Sequence, residues 1–142
     1  MEDESVVADV VVEAGTGRGR RTVLQLSWTP ADPLAVVLTL TALPDHPALP
    51  RGSWVVLRDF LRYGLEEPTG DGVVRIRPDE DGDCVVLALA RAGRPASVAL
   101  PREAVRAFLD RTERVVATGA EASDVAIDAL LARLLGEEPP AR

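Results

Sequence analysis

The sequence predicts an antiparallel α+β domain, and three observations carry that prediction. Seven short runs are β-branched or alternate apolar with polar residues, Gly- and Pro-bearing turns join most of them, and helical periodicity is confined to one short mid-chain segment and the last third of the chain. A parallel βαβ order would instead need a crossover helix between successive strands.

Val6 to Glu13 is β-branched and partly alternating, and Thr22 to Trp28 alternates; Gly15, Gly17 and Gly19 between them make a hairpin tip. The prolines of Thr29-Pro30-Ala31-Asp32-Pro33 fix φ and cannot donate to a ladder, so a turn leads into a third strand over Leu34 to Ala42. Leu43 to Pro50 holds three prolines and reads as an irregular loop, after which Ser53 to Leu57 is the fourth strand. Arg58 to Leu65 is a two-turn helix with Phe60, Leu61 and Leu65 on one side, Arg58, Asp59 and Arg62 outward, and Gly64 marking where it frays. Val73 to Arg77, Cys84 to Ala90 and Ala96 to Leu100 form a meander around the turns Asp79 to Asp83 and Ala92 to Pro95. Pro101 fits a first helical position, and Val105, Phe108 and Leu109 make an apolar stripe opposite Arg102, Arg106 and Arg111. Ser123 caps a last helix carrying Ile127, Leu130, Leu131 and Leu134, with Gly136 as its stop. Two helices are therefore expected at the C-terminal end.

The 142 residues suit one domain, large enough to stand without disulfides or metals. With 46% hydrophobic and 27% charged residues the composition is that of an ordinary globular protein, and no apolar run approaches the roughly 20 residues of a membrane span. The acidic start Met1-Glu2-Asp3-Glu4 lacks the basic and apolar regions of a secretory signal, so a cytoplasmic location is expected. A net charge of −7 opposes binding to a phosphate backbone, and no nucleic-acid partner is expected.

Candidate chemical residues yield structural readings. His46 stands alone in the triple-proline loop, without a Cys, Ser or second His at matching spacing. Cys84, the single cysteine, opens a strand and reads as a small core hydrophobe, since nothing local supplies the cation a reactive thiolate needs. Asp79 to Asp83 starts like a calcium loop, but Cys84 and Ala90 occupy the positions where Gly and Glu are required. Gly15 to Arg21 looks like a phosphate cradle, yet Arg20 takes its third glycine position and no helix follows. Pro68 to Gly72 reads as a structural corner, because it precedes a strand and not a helix. No cofactor, metal site or catalytic residue is assigned, and a non-enzyme is expected.

The spacing Arg58-Asp59-x-Leu61-x-x-Gly64-Leu65-x-x-Pro68-x-Gly70-x-Gly72-x-Val74 resembles the SsgA-like family of sporulation and cell-division proteins of actinomycetes. Asp32-Pro33-Leu34-Ala35-Val36 is similar to a second family element, and Phe108-Leu109-x-Arg111-Thr112 with Gly119-x-Glu121 to a third. Val73, where the family usually has Asp, and Leu34, in an aromatic slot, are departures. The resemblance runs from about Glu4 to Leu135, so one SsgA-like domain is expected over 1–142, with flexible acidic or Pro-rich ends. It implies a barrel-like antiparallel sheet similar to whirly-type nucleic-acid binders, assembled as a trimer. It also implies a non-enzymatic role at the division septum, through FtsZ or other SsgA-like paralogues, with the membrane involved only indirectly.

Arg58, Asp59 and Arg62 are then either a solvated face with local ion pairs or partner contacts, since arginines are enriched among interface anchors. Leu130, Leu131, Leu134 and Leu135 are the candidate oligomer interface. Two other readings compete. Single-stranded nucleic-acid binding would need aromatic platforms and a basic groove, and a ligand-sensing barrel would need a cavity of about 300 Å³ or more with convergent polar groups.

Overall fold

The computed structural model describes residues 4–14, 21–40, 52–91, 93–117 and 131–132. Their elements are β1 (Val6–Ala14), β2 (Arg21–Trp28), β3 (Ala35–Leu40), β4 (Gly52–Leu57), α1 (Arg58–Gly64), β5 (Val74–Pro78), β6 (Cys84–Arg91), β7 (Arg94–Pro101) and α2 (Arg102–Val115). The seven strands form one sheet in the order β4-β3-β2-β1-β7-β6-β5, antiparallel at every step. The seven expected strands are present, with ends that shift by one or two residues. Pro101 is not inside α2 but completes β7 and occupies the helix N-cap, with φ −62° and ψ 133°. The hairpin tip at 15–20, the loop holding His46 and most of the expected last helix lie outside the described residues; Leu131 and Ala132 are helical.

Period-2 alternation in the sequence becomes the two faces of the sheet. Val10 and Val12 of β1, Leu24 and Leu26 of β2, Leu38 and Leu40 of β3, Leu87 and Leu89 of β6 and Val98 and Leu100 of β7 all point inward. They form one apolar cluster with Leu61 of α1 and with Val105, Phe108 and Leu109 of α2, the stripe read from helical spacing. Among the described residues β1 and β7 share two register pairs, Glu13 with Ala99 and Ala14 with Val98, and α2 packs against β1, β7 and β6.

The sheet curls into a nearly closed barrel, and side chains rather than a ladder tie the edge strand β4 to β6, the neighbour of the other edge strand β5. Trp54 of the edge strand β4 donates its indole N–H to Ala90 O of β6 at 3.0 Å. Arg91 lies over the Trp54 ring, 4.9 Å from its centroid, and donates to Ser53 O. At the other edge, Ile76 of β5 exchanges two backbone hydrogen bonds with Thr69, at 2.8 and 3.0 Å, so an isolated bridge covers the strand that would otherwise end the sheet.

Gly64 corrects an expectation. It does close α1, but its reason is packing: a Cβ there would stand 2.1 Å from Ile76 Cγ2, so only glycine lets the helix lie directly on β5. Gly70 is constrained twice, by φ +95° and by a Cβ position 2.7 Å from both the Phe60 ring and Val74 O. Gly72 carries neither constraint.

In an exposed helix Gly64→Ala would gain about 1 kcal/mol of helix propensity. Here overpacking outweighs that gain, and a net loss of about 1–3 kcal/mol is expected by urea denaturation. Combined with Ile76→Ala the two losses add to less than their sum, because the second change removes the clash. A Gly64→Ala protein as stable as the parent would remove close packing as the reason for this glycine.

Candidate interaction surface

Arg58 is the residue that sequence reasoning placed worst. Expected on the outward face of α1, it is 1% exposed and among the largest buried side chains. Its charge misled where spacing would not have: Arg58, Leu61 and Leu65 fall at i, i+3 and i+7, one helix face, and the other two are core. The ladder runs straight into this position, since Arg58 N–H still donates to Leu34 O at 2.8 Å, and the side chain turns inward across the end of the sheet.

There the guanidinium lies over Trp28, 5.4 Å from the ring centroid, and Nη1 donates to Thr112 Oγ1 at 3.2 Å. Thr112 in turn donates to Leu109 O at 2.7 Å, and the Trp28 indole donates to Pro33 O at 2.9 Å. Asp32, buried beside Pro33, holds its turn through hydrogen bonds from Asp32 N–H to Thr29 O and from Ala35 N–H to Asp32 O. Three motifs widely separated in sequence thus meet at one junction: Asp32-Pro33 before β3, Arg58 at the start of α1 and Thr112 on α2. Arginine suits the place, because its planar, weakly hydrated head can stack on an aromatic face while bonding in its plane, which lysine cannot do.

Arg62 is half-buried and bridges the helices, bonding Asp110 at 3.1 Å and Glu113 at 2.5 Å. Burial by itself would lower its proton affinity, but hydrogen bonds and charge from Glu113 and Asp110 win and raise it. Arg102 likewise anchors the chain after α1, donating to Leu65 O at 3.0 Å and to Glu66 at 2.6 Å. Asp59 is half-exposed, and Tyr63 is 59% exposed. Of the expected partner contacts, then, one is core, one is a strut between helices and Asp59 alone is left to face outward. Phe108 and Leu109 are core, Leu65 is buried and Pro68 is exposed at the corner. Gly119, Glu121, Leu130, Leu134 and Leu135 lie outside the described residues, and Leu131 is 50% exposed.

Cys84 differs slightly from expectation, being half-buried rather than core. Desolvation first, then the charges of Asp79, Asp83, Asp81 and Glu13, push its thiol pKa up, the reverse of what a nucleophile needs. Among the described residues no three His, Cys, Asp or Glu side chains gather as metal ligands. No helix of the described residues is long and apolar enough to cross a membrane.

Two open grooves lie on the sheet's outer face. One, of about 370 Å³, runs past Val7, Ser27 and Val37 to the Asp32 turn. The other, of about 350 Å³, lies across β5 to β7 and is lined by Arg75, Arg77, Thr69, Val86, Ala88 and Ser97. Both arginines were legible as outward, since they alternate with the inward Val74 and Ile76, but nothing in the sequence placed them in a groove.

The family description "Streptomyces sporulation and cell division protein, SsgA" matches residues 22–121. The sporulation-specific cell division protein SsgB of Salinispora tropica is 39% identical over 112 residues, covering 78% of this chain and 77% of its own length. SsgB of Streptomyces coelicolor is 35% identical over 114 residues, with 79% and 80% coverage. The solved SsgA-like sporulation-specific cell division protein of Thermobifida fusca superposes with a TM-score of 0.72 at 27% identity, over 94% of this chain and 98% of that one. A solved structure of SsgB, described for mutations that correlate with longitudinal cell division during sporulation of Streptomyces coelicolor, superposes with a TM-score of 0.69. It is 30% identical and covers 85% of this chain and 94% of that one.

Arg58→Ala is expected to cost about 2–5 kcal/mol in denaturant unfolding, the range for emptying the site of a large buried side chain. Arg62→Ala, a partly solvated strut, should cost about 1 kcal/mol or less. An Arg58→Ala protein of parental stability would return this residue to the surface role first expected of it. For Cys84, a disulfide-exchange reagent at pH 8 should react several-fold more slowly with the folded protein than with a free cysteine; an equal or faster rate would contradict the raised pKa.

Proposed function

The chain belongs to the SsgA family of sporulation and cell division proteins, and on that premise we propose that it is a non-enzymatic adaptor that helps to position or activate the division septum. A role in sporulation and cell division follows from the kinship itself. The finer reading is that several copies, as a trimer, present one weak patch each to FtsZ polymer or to an FtsZ adaptor at the septum. A polymer repeats its binding site, so linked weak contacts gain about 10²–10⁴ in avidity without any new contact.

One observation carries this reading: the family motifs are used for architecture. Arg58, Gly64, Gly70, Phe108, Leu109 and Thr112 hold helices against the sheet, and of these Gly70 alone borders one of the two grooves, where it brings no side chain. That pattern fits a rigid body offering surfaces, not a vessel for chemistry. The competing single-stranded nucleic-acid reading is disfavoured by the aromatics: Trp28, Trp54 and Phe108 are buried, Phe60 is half-buried, and only Tyr63 stands exposed for a base to stack on.

A fluorescently tagged copy in a sporulating actinomycete should gather at septa, and the purified protein should sediment with FtsZ polymer. An interface variant that is monomeric by light scattering but retains its circular dichroism should lose at least about tenfold in polymer affinity. Diffuse fluorescence would sink the septal role, and a monomer binding as tightly as the parent would sink the avidity mechanism alone.

A further inference from the structure

From the groove over β5, β6 and β7 we infer a docking site for an extended acidic peptide segment of a protein partner. The inference rests on the adaptor reading in supposing that the occupant is a protein, and it adds the chemistry by which that occupant would be recognised.

Arg75 and Arg77 are exposed side chains at i and i+2 of β5, on the same face of the strand. Strand geometry therefore sets their Cα atoms about 6.6–6.8 Å apart, the repeat of any extended chain, so two carboxylates at alternate positions of an extended peptide match them one to one. Both guanidiniums are available. Among the described residues Arg62, Arg102 and Arg106 are engaged by carboxylates, whereas the side chains of Arg75 and Arg77 take part in no ion pair or hydrogen bond.

The rest of the groove fits the same occupant. Val86 and Ala88 give it an apolar floor, the hydroxyls of Thr69 and Ser97 stand at its borders, and among the described residues no carboxylate lines it. The backbone of β5 on its open side is already bonded to Thr69, so the peptide is read by side-chain charge across the face and not by adding a strand at the edge. Beyond Pro78 the acidic turn Asp79 to Asp83 repels a carboxylate-rich chain and limits the footprint to the stretch over Arg77 and Arg75. The net charge of −7 opposes an acidic ligand at long range, but screening beyond about 8 Å at physiological salt leaves the local arginine pair to decide. Charge-assisted, fork-shaped guanidinium to carboxylate bonds supply the specificity.

The test is fluorescence anisotropy with a labelled peptide of alternating Glu and Ser, beside its Gln-for-Glu counterpart and a single-stranded oligothymidine. The Glu peptide should bind saturably and weaken with added salt, and the Gln peptide should bind at least about tenfold less well. Arg75→Glu/Arg77→Glu, and the neutral Arg75→Gln/Arg77→Gln, should abolish binding. The equally exposed α2 pair Arg111→Glu/Arg114→Glu should bind within about twofold of the parent, with circular dichroism unchanged in all three. No saturable binding, an equal loss in the α2 control, or oligothymidine preferred over the Glu peptide would each overturn the inference. Septal recruitment of the parent, scored separately, tells the two readings apart: recruitment without peptide binding sinks the groove and leaves the adaptor, while peptide binding without recruitment sinks the adaptor and leaves the groove.

Discussion

The stacking of Arg58 on Trp28 is the interaction from which the arrangement of the helices follows. Burial of a guanidinium at 1% exposure is costly without partners, and the indole face and the Thr112 hydroxyl are brought together to meet it. Each partner is committed in turn: Trp28 to Pro33 O, Thr112 to Leu109 O, Arg58 N–H to Leu34 O. The end of β2, the turn before β3, the start of α1 and the last turn of α2 are thereby fixed in one place. Trp54 repeats the device at the barrel's open seam, its indole on Ala90 O and Arg91 across its ring. Both tryptophans thus satisfy their one polar group on a carbonyl and spend their faces on arginine.

This economy shapes the surface as much as the core. Arginines that a linear reading counts as outward cations are consumed in structure: Arg58 and Arg91 on rings, Arg62 and Arg102 on carboxylates that join helix to helix. The cations left free to meet another molecule are correspondingly fewer, and Arg75 and Arg77 are the two that share a groove. A protein built this way has a rigid frame and a few local surface patches.

Much of the frame was legible from residues alone. β-branched runs, alternation and the turns between them located all seven strands, and where the sequence alternates, an inward Leu or Val every second residue is the same fact in sequence and in section. The stripe Val105, Phe108, Leu109 gave the buried face of α2 for the parallel reason at period 3.6. Arg58 failed because residue type was weighed above position: its spacing to Leu61 and Leu65 marked it as inward, and its charge was allowed to overrule that. Gly64 failed differently, since a glycine at a helix end has an adequate local explanation, and only the approach of Ile76 from β5 reveals the true one.

The chain's order of elements, the faces of its strands and the kinship carried by its three motifs were determined by sequence, because each depends on spacings of a few residues that the backbone's own periodicities translate directly. Which strands end the sheet, that the side chains of Trp54 and Arg91 join β4 to β6 across the open seam, that Asp32-Pro33, Arg58 and Thr112 converge, and that Arg75 and Arg77 border a groove were decided by the tertiary structure. Such contacts join residues up to 54 positions apart, and no local periodicity encodes a distance that exists only once the sheet has curled.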